Sequence, residues 1–359
     1  MDTINKLRET FETLKVDALL ISAPTNRRYV SGFTGSNGLV YLSKTRQVFI
    51  TDFRYLEQAA KQCEGFEIVD QTTAGLVKTA MEMAKKDGVK YIGFESAHTN
   101  YSTFLDYQAH QEFEFVPTAD VVESLRQIKT SSEIEKLKRA EAIGDLAFSH
   151  IVPLIQAEYK NGLTENDVAL ELERVMRKHG ATGTSFDSIV AVGNKSSLCH
   201  AVPGNVTLDQ GGFLVMDFGC KYEGYCSDMT RTVIIGEPNE THLKIYNTVL
   251  EAQLAALKAI KPGMKGKEVD AIARTVISEA GYGAYFGHGL GHAVGLDIHE
   301  SPRFSTLEEK IIQPGMVITV EPGIYIPEFG GVRIEDMVVI TETGIENLTH
   351  STKDLIVIR

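Results

Sequence analysis

The sequence predicts two domains, an α/β domain followed by an α+β domain, in a chain of 359 residues. Three observations lead to this prediction. The length exceeds what one hydrophobic core commonly supports. The first part of the chain alternates short apolar runs with helical patterns, and the remainder combines long helical patterns with pairs of apolar strands. We place the break near residue 128, so the expected domains are residues 1–128 and 129–359.

The spacing of apolar residues and the length of apolar runs predict the helices and strands of the first domain. Residues 1–15 form an amphipathic pattern that predicts a helix, with Ile4, Leu7, Phe11 and Leu14 on one face. In the rest of the domain, short apolar runs predict strands and helical spacing predicts helices. The strands are expected at 17–22, 47–51, 90–94 and 113–117, and the helices at 53–63 and 73–86. This alternation predicts a mixed or parallel sheet.

The second domain begins with a long helical pattern. Ser131 or Ser132 is positioned to cap that helix, and Glu133 and Glu135 follow in its first turn. Helices are predicted at 133–159, 164–179, 241–260 and 266–280, and strand pairs at 212–219 with 224–235 and at 316–321 with 332–340. The first strand pair is joined by KYE, which indicates an antiparallel hairpin. The domain thus contains two blocks, each made of helices followed by a strand pair, and this suggests an internal repeat.

Composition argues against several classes of function. The formal net charge of −12 argues against nucleic acid as a partner, because nucleic acid binds to a basic face. No apolar run is long enough to cross a bilayer, and the first residues lack the apolar core of a secretory signal, so we expect a cytoplasmic protein with no membrane partner. The four cysteines form no CxxC pair and are expected to be reduced. Cys199, beside His200, is interpreted as a small buried or pocket-lining residue rather than as a nucleophile.

Two aspartates stand next to apolar strand cores. Asp217 directly follows the run FLVM, and Asp228 follows Tyr225 and Cys226 in the returning strand. A buried aspartate is unfavourable unless it is paired or bound to a metal, and two facing aspartates repel each other. A cation between them would remove both penalties. The alternative is that each aspartate lies at a solvent-exposed strand end.

Three histidines, His288, His292 and His299, lie in the glycine-rich stretch HGLGHAVGLDIHE, residues 288–300. Glycine allows the backbone to turn tightly and to approach a ligand closely. Neutral imidazole is a good ligand for manganese, cobalt and zinc. The stretch is not HExxH, because no glutamate directly follows either of the first two histidines, and its glycines do not fit GxGxxG. One histidine would more often be structural, whereas three in one such stretch favour a site.

Two glutamates complete the pattern. Glu321 ends the run MVITV as Asp217 ends FLVM, and Glu335 lies inside VRIEDMVVI, where alternation places it on the face of Arg333 and Met337. An exposed sheet face is the alternative interpretation. Taken together, four carboxylates and a histidine suit two divalent cations that share bridging carboxylates and activate a water.

These blocks resemble the pita-bread metallopeptidases, the family that contains methionine aminopeptidase, aminopeptidase P and prolidase. HGLGHAVGLDIHE resembles the proline-specific branch, and MDFG, SDMTRT, TVEPGIYI and GVRIED match the other blocks in order and spacing. The resemblance covers nearly the whole chain, with a creatinase-like N-terminal α/β domain before a pita-bread α+β catalytic domain. It implies a site for two divalent ions, Mn²⁺ or Co²⁺ with Zn²⁺ possible, in which the ligands are Asp217, Asp228, His292, Glu321 and Glu335.

The resemblance also implies roles for individual residues. Glu321 would take a proton from the bridging water as general base. His200 and His299 would stabilise the tetrahedral oxyanion or pass a proton to the leaving nitrogen. His288 would line the proline pocket. Asp228 and Glu335 would bridge the two ions, and Arg333 would hold these bridging carboxylates by hydrogen bonds.

The implied activity is hydrolysis of the bond before proline in dipeptides or short peptides. Arg303, in ESPRF, falls where compact prolidases carry an arginine for the free carboxylate of a dipeptide, which favours an Xaa-Pro dipeptidase over an aminopeptidase P acting on longer peptides. A metal-free creatinase-like enzyme or a non-catalytic binding protein could share the fold, but both are disfavoured because all five ligand positions are filled. The family resemblance further implies a homodimer in which the partner's N-terminal domain helps to close the active site.

Overall fold

The computed structural model describes residues 2–359 and divides into two compact units, Met1–Arg126 and Gln127–Arg359. The boundary lies beside the break that the sequence predicts near residue 128. Each unit has hydrophobic clusters of its own, and each is described by itself below.

The first unit is an α/β domain with one six-stranded mixed sheet. Its helices are α1 Asp2–Leu14, α2 Pro24–Ser31, α3 Leu56–Gln62, α4 Leu76–Lys86, α5 Tyr101–Gln108 and α6 Val121–Arg126, and its strands are β1 Ala18–Ile21, β2 Leu39–Ser43, β3 Gln47–Thr51, β4 Glu67–Asp70, β5 Tyr91–Glu95 and β6 Glu114–Thr118. The strand order is β4-β3-β2-β1-β5-β6. The pairs β1–β2 and β2–β3 are antiparallel and the other three pairs are parallel, so the predicted mixed sheet is confirmed.

Both faces of this sheet are buried, because alternate strand residues point to opposite sides. Leu19 packs in one cluster with Leu7 of α1, and Leu20 packs in the other with Met81 of α4. The predicted amphipathic first helix is confirmed. Strands β2 and β4 and helices α2 and α5 were not predicted from the sequence, and α3, at seven residues, is shorter than the predicted helix.

The second unit combines four long helices with several antiparallel sheets. Its helices are α7 Ser131–Glu158, α8 Glu165–Lys178, α9 Glu240–Ala259 and α10 Gly266–Glu279, and its strands are β7 Gly183–Thr184, β8 Ile189–Val192, β9 Gly212–Phe218, β10 Cys220–Tyr222, β11 Tyr225–Cys226, β12 Met229–Ile235, β13 Gly291–Ala293, β14 Glu300–Phe304, β15 Val317–Val320, β16 Gly323–Ile326, β17 Gly330–Arg333, β18 Asp336–Ile340, β19 Ile345–Asn347 and β20 Val357–Ile358. Across residues 2–359, the helices all fall short of the length and apolarity that crossing a membrane requires.

Two helix pairs each cover one antiparallel sheet. Helices α7 and α8 share a hydrophobic cluster with the sheet β20-β12-β9-β8, whereas α9 and α10 share one with β14-β13-β15-β18-β19. The only exception to antiparallel pairing in these two sheets is the parallel contact of β12 with β20. This arrangement agrees with the internal repeat suggested by the sequence, since each block consists of two helices and a central antiparallel strand pair.

The structure corrects three local predictions. Residues 224–235 are not one strand, because β11 pairs with β10 and only β12 pairs with β9. Thr130, rather than Ser131 or Ser132, caps α7, and it forms a reciprocal capping box with Glu133. Residues 332–340 are not one continuous strand. The chain leaves the pair β16–β17 after Arg333 and enters β18 at Asp336, so it changes sheets at residues 334–335. A tight hairpin, β16–β17, therefore lies between the two strands that were predicted to pair.

Candidate metal centre

The first two acidic residues of the site lie where β9 and β12 meet. Asp217, the penultimate residue of β9, is in register with Thr230 of β12, and Asp228 directly precedes β12. The backbone N–H of Asp228 lies 3.3 Å from the carboxylate oxygen Oε2 of Glu141, a buried acid in α7. The antiparallel register thus brings both aspartates to one end of this strand pair.

The other two acids come from the corresponding end of the second sheet. Glu321 directly follows β15, and Glu335 lies in the break between β17 and β18. The backbone N–H of Glu335 donates to the carbonyl oxygen of Thr230 at 3.1 Å, and the hydroxyl of Thr230 donates to Glu335 Oε2 at 2.6 Å. Because the chain changes sheets here, Glu335 contacts the β9–β12 pair instead of continuing a strand ladder.

The five residues that the resemblance implies as ligands come together in the folded chain. Asp217, Asp228 and Glu335 each place a carboxylate oxygen within 4.8 Å of the others. Nε2 of His292 lies 3.5 Å from Asp228 Oδ2 and 3.4 Å from Glu321 Oε1. The four carboxylates and the imidazole therefore form one cluster.

Three of the clustered carboxyl groups have raised pKa values. Burial raises the pKa of Glu321 to about 7. Burial also raises the pKa of Asp228 well above its ordinary value, and the charges of Glu335 and Asp217 raise it further. Burial, followed by the charges of Glu321 and Asp217, has the same effect on Glu335. Without an added cation, the cluster therefore favours bound protons.

Arg333 contributes the positive charge that the chain itself brings to the four acids. Its Nη2 lies 2.5 Å from Asp217 Oδ2. Within residues 2–359, no lysine and no second arginine forms an ion pair with any of the four. One guanidinium against four carboxylates leaves a formal deficit of three positive charges, which is unfavourable in a buried site unless protons or cations supply them.

His292 is held as a neutral ligand. Burial lowers its pKa to about 3, and the neighbouring His299 lowers it further. Its Nδ1 lies 3.2 Å from the carbonyl oxygen of Ala293, which can only accept, so Nδ1 carries the hydrogen and Nε2 presents a lone pair to the acids. Gly291 makes this position possible, because a Cβ there would lie 2.0 Å from the carbonyl oxygen of Thr319.

The residues present fit a pair of divalent cations. Asp217 Oδ1 is buried and finds no hydrogen-bond partner among the described residues, which is the environment of an atom that coordinates an external ion. Carboxylate oxygens with one imidazole are the donors that Mn²⁺, Co²⁺ and Zn²⁺ accept. Two divalent ions would also cover the charge deficit. The cluster thus offers oxygen and nitrogen ligands that such ions accept and a negative charge that they balance. It also has one carboxylate oxygen, Asp217 Oδ1, that has no hydrogen-bond partner among the described residues.

A chain of hydrogen bonds links the acids to His288. Nη1 of Arg333 donates to the hydroxyl oxygen of Tyr325 at 2.7 Å, and that hydroxyl lies 3.0 Å from Nε2 of His288. Nδ1 of His288 donates to the carbonyl oxygen of Gly289 at 2.7 Å. Burial lowers the pKa of His288 to about 4, so the ring is neutral and accepts from Tyr325. Tyr325 and Thr230 lie within the motifs TVEPGIYI and SDMTRT, but neither was predicted from the sequence to have a role.

Two histidines and one arginine lie at the exposed side of the cluster. His200 and His299 are exposed, and the ring of His299 lies edge-on to that of His292 with 4.4 Å between centroids. Arg303 of β14 is in register with His292 of β13. Burial lowers the pKa of His299, and the positive charge of Arg303 lowers it further. The carbonyl oxygen of Cys199, the residue before His200, lies 3.4 Å from Nη1 of Arg333.

Comparison with known proteins gives consistent matches along the chain. The model of metallopeptidase family M24 matches residues 135–342, and that of the creatinase/prolidase N-terminal domain matches residues 3–128. An Xaa-Pro dipeptidase from Bacillus anthracis superposes with a TM-score of 0.96 at 47% identity over 99% of both chains.

Two further relatives differ in their named activity. An X-Pro aminopeptidase from Thermotoga maritima superposes with a TM-score of 0.89 at 38% identity, over 97% of this chain and 99% of that one. An Xaa-Pro dipeptidase from Pyrococcus horikoshii is 37% identical over 361 aligned positions, 99% of each chain. The predicted creatinase-like and pita-bread domains are thereby confirmed, and the chain belongs to metallopeptidase family M24, as a hydrolase.

Proposed function

We propose that this protein hydrolyses the Xaa-Pro bond of dipeptides, with Asp217, Asp228, His292, Glu321 and Glu335 holding two divalent metal ions. The observation that carries the proposal is the buried cluster of four carboxylates with one guanidinium, whose missing positive charge two divalent cations would supply. The similarity to Xaa-Pro dipeptidases over 99% of the chain supports the substrate class. Mn²⁺ or Co²⁺ is the proposed metal, and Zn²⁺ is compatible with the same donors.

The side chains around the cluster have separate roles in this proposal. Bound divalent ions would supply Lewis acidity toward the scissile carbonyl and lower the pKa of a water. Glu321 takes the proton of the attacking water, and the hydroxyl of Thr319, which donates to Glu321 Oε1 at 3.1 Å, orients the carboxylate for that transfer. Arg333 and Thr230 fix Asp217 and Glu335 by charge-assisted hydrogen bonds.

His200 and His299 act on the peptide in this proposal. The bond before proline is a tertiary amide without an N–H, so its nitrogen must gain a proton before it leaves. His299 lies edge-on to His292, and His200 follows Cys199, whose carbonyl oxygen lies 3.4 Å from Nη1 of Arg333. Either exposed histidine can therefore stabilise the oxyanion or deliver that proton. His288, which burial keeps neutral and which hydrogen bonds to Tyr325 and Gly289 hold in place, lines the pocket for the proline ring.

Arg303 distinguishes a dipeptidase from an aminopeptidase in this proposal. Its guanidinium is exposed and lies across from His292, so it is available to pair with the free carboxylate of a bound dipeptide. In a longer peptide, an amide replaces that carboxylate. We expect Arg303→Ala to reduce kcat/KM for Ala-Pro by about 10-fold or more and that for Ala-Pro-Ala by less. Equal losses on the two substrates would make Arg303 a structural residue.

The first experiment compares substrates with the Mn²⁺-loaded protein. Ala-Pro and Ala-Pro-Ala are incubated separately, and an EDTA-treated sample is the control. Cleavage of Ala-Pro alone, abolished by EDTA, is the expected result. Preference for Ala-Pro-Ala would instead indicate an Xaa-Pro aminopeptidase, the activity named for the Thermotoga relative. Metal-loaded protein that cleaves neither peptide would overturn the proposed substrate class.

We further propose that the protein acts in the cytoplasm as a homodimer. Four free cysteines agree with a reducing compartment. Light scattering on the purified protein tests the assembly, since a mass near twice 39.5 kDa is expected for the dimer. A mass near that of one chain would contradict it.

A further inference from the structure

Residues 193–204, here called the His200 loop, connect β8 to the segment before β9. The loop begins with a short helical turn, Gly193–Ser197, and exposes His200 together with two apolar side chains, Leu198 and Val202. A segment that exposes large apolar groups gains little from burial and must be ordered by other contacts. The contacts that order this loop are therefore informative about how His200 is placed.

A single buried carboxylate accepts hydrogen bonds from the residue just before the loop, from a residue near its start and from its last residue. Glu165 is the first residue of α8, and its side chain is fully buried. Its Oε1 accepts from the N–H of Val192 at 3.0 Å, and its Oε2 accepts from the N–H of Gly204 at 3.0 Å and from the ammonium group of Lys195. Three donors spread over thirteen residues of chain thus converge on one side chain.

The backbone around Glu165 adds two contacts at the end of the loop. Its own N–H donates to the carbonyl oxygen of Val206 at 3.0 Å, and the N–H of Asn166 donates to that of Gly204 at 3.1 Å. The first turn of α8 therefore holds the exit of the loop through both main chain and side chain. A carboxylate at this position also interacts favourably with the helix dipole.

The opposite side of the loop packs against β17, the strand that carries Arg333. The hydroxyl of Ser196 donates to the carbonyl oxygen of Gly193 and accepts from the N–H of Gly331 at 2.8 Å. A Cβ at residue 331 would lie 2.4 Å from the carbonyl oxygen of Ser196, so glycine permits this close approach. Nη1 of Arg333 lies 3.4 Å from the carbonyl oxygen of Cys199, the residue before His200.

We infer that Glu165 is a positioning residue that fixes the His200 loop and thereby places His200 for its step in peptide hydrolysis. This inference rests on the proposed function, because the step assigned to His200 belongs to it. Glu165 acts through the loop and not through the metal ligands, since the hydrogen bonds of its carboxylate go to Val192, Lys195 and Gly204. Replacing it should displace His200 while leaving the metal ligands in place.

Kinetics and a double-mutant cycle test the inference. We expect Glu165→Gln to lower kcat for Ala-Pro by about 10- to 100-fold, the range produced by small misplacements of a reacting group, at unchanged metal content. KM should change less than about threefold, because Arg303 still holds the substrate carboxylate. In a His200→Ala background the same substitution should have less than about a twofold effect. A loss of equal size in both backgrounds would overturn the positioning role.

Limited proteolysis gives a readout that does not depend on activity. Leu198 is 59% exposed, and chymotrypsin cleaves after leucine only where the backbone can adapt to the protease. Glu165→Gln should accelerate cleavage after Leu198, whereas Glu173→Gln, a half-exposed site on the same helix, should not. An unchanged cleavage rate in Glu165→Gln would overturn the inference even if the wild-type protein cleaved no peptide, so its failure is distinct from failure of the proposed substrate.

A second variant covers the case in which Glu165→Gln does not fold. Lys195 is partly exposed, and Lys195→Met removes one donor to Glu165 while the two backbone donors remain. We expect faster cleavage after Leu198 and a loss of kcat smaller than for Glu165→Gln, again absent in the His200→Ala background. Wild-type kcat and a wild-type cleavage rate in this variant would contradict the inference.

Discussion

Glu335 and Asp336 are neighbours in sequence, both are buried, and their charges are balanced in opposite ways. Burial and the charges of Glu321 and Asp217 raise the pKa of Glu335 well above its ordinary value. Burial alone would also raise the pKa of Asp336, but Arg231 and Lys353 outweigh it and the pKa is lowered. One residue therefore lies in a site that lacks positive charge, and the next lies in a site where the chain supplies it.

The contacts of Asp336 show a buried carboxylate whose charge and hydrogen bonds are all satisfied by the chain itself. Nη2 of Arg231 donates to Oδ1 at 2.8 Å, and Lys353 donates to Oδ2 at 2.6 Å. Two amides, from Gln253 and Asn347, also donate to Oδ2. A paired and fully hydrogen-bonded acid of this kind is structural. The contrast teaches that the metal cluster is identified by missing positive charge and not by buried acids alone.

The largest expected effect is on activity, from Glu335→Gln. The substitution keeps the shape of the side chain but removes one negative charge from the cluster, so metal occupancy should fall and hydrolysis of Ala-Pro should drop about 1,000-fold or more. Elemental analysis of the purified variant and kcat with added Mn²⁺ measure the two effects. The variant should still fold, because the substitution removes one of the four buried carboxylates that repel one another. Full activity in this variant would remove the two-metal proposal.

The neighbouring substitution, Asp336→Asn, should have its main effect on stability. It leaves the buried Arg231 and the partly exposed Lys353 without their counter-charge, and breaking a buried ion pair in this way typically lowers the free energy of unfolding by about 3–5 kcal/mol. Urea unfolding of the metal-loaded protein measures the loss, and elemental analysis is expected to show retained metal. A change below about 0.5 kcal/mol would show that the charge balance around Asp336 contributes little to folding.

Part of this contrast was accessible from sequence and part was not. Asp217 and Glu321 each end an apolar run, and a carboxylate in that position is unusual enough to be recognised from the sequence alone. Asp336 follows Glu335 in the same run, and nothing local separates them. The difference comes from Arg231 and Lys353, which lie 105 and 17 residues away in sequence, so only the folded chain reveals it.

Other features of the site were missed for the same reason. Glu335 was predicted inside a continuous strand, whereas the chain changes sheets there because the Glu335 N–H pairs with Thr230, 105 positions earlier. The Tyr325 hydroxyl links Arg333 to His288 through hydrogen bonds that residue spacing in the sequence does not predict. By contrast, the long helices and the β9–β12 hairpin follow local periodicity and were predicted correctly.

The pH dependence of the stability of the metal-free protein tests the raised pKa values in the metal cluster, which is the Glu335 side of the comparison. Below pH 6.5, the lowered pKa of His292 opposes the raised pKa values of the acids, since the unfolded chain then gains imidazole protons. Above pH 6.5 the imidazole of His292 is neutral in the folded protein and mostly neutral in the unfolded chain, so its opposing effect fades. The folded protein then retains carboxyl protons that the unfolded chain has lost, through Glu321, whose pKa is about 7, and through Asp228 and Glu335, whose pKa values are also raised.

Stability of the metal-free protein should therefore fall as the pH rises from about 6.5 to 8, by up to about 1.4 kcal/mol per pH unit for each retained proton. Urea unfolding of EDTA-treated protein at the two pH values measures this slope. Metal-loaded protein is the matched control, and it should lack the fall because cations replace the protons. Greater stability of the EDTA-treated protein at pH 8 than at pH 6.5 would contradict the assignment of raised pKa values.

The smallest expected effect comes from removing only one of the two cations that balance Asp336. In Lys353→Met, Arg231 still contacts the carboxylate at 2.8 Å, and Gln253 and Asn347 still donate to it. Lys353 is also 20% exposed, so the free energy of unfolding should fall by about 1–2 kcal/mol, less than for Asp336→Asn.

The matched control for Lys353→Met is Lys138→Met. Lys138 lies 2.8 Å from Glu346, but that glutamate is 51% exposed and water screens the pair, so a change within about 0.5 kcal/mol is expected. Urea unfolding of both variants, with metal bound, makes the comparison. Equal losses would show that burial does not strengthen the Lys353–Asp336 pair, and Asp336 would then be balanced by Arg231 alone. A larger loss for Lys353→Met would establish that the buried acid beside Glu335 depends on both cations, which is the balance that the metal cluster lacks.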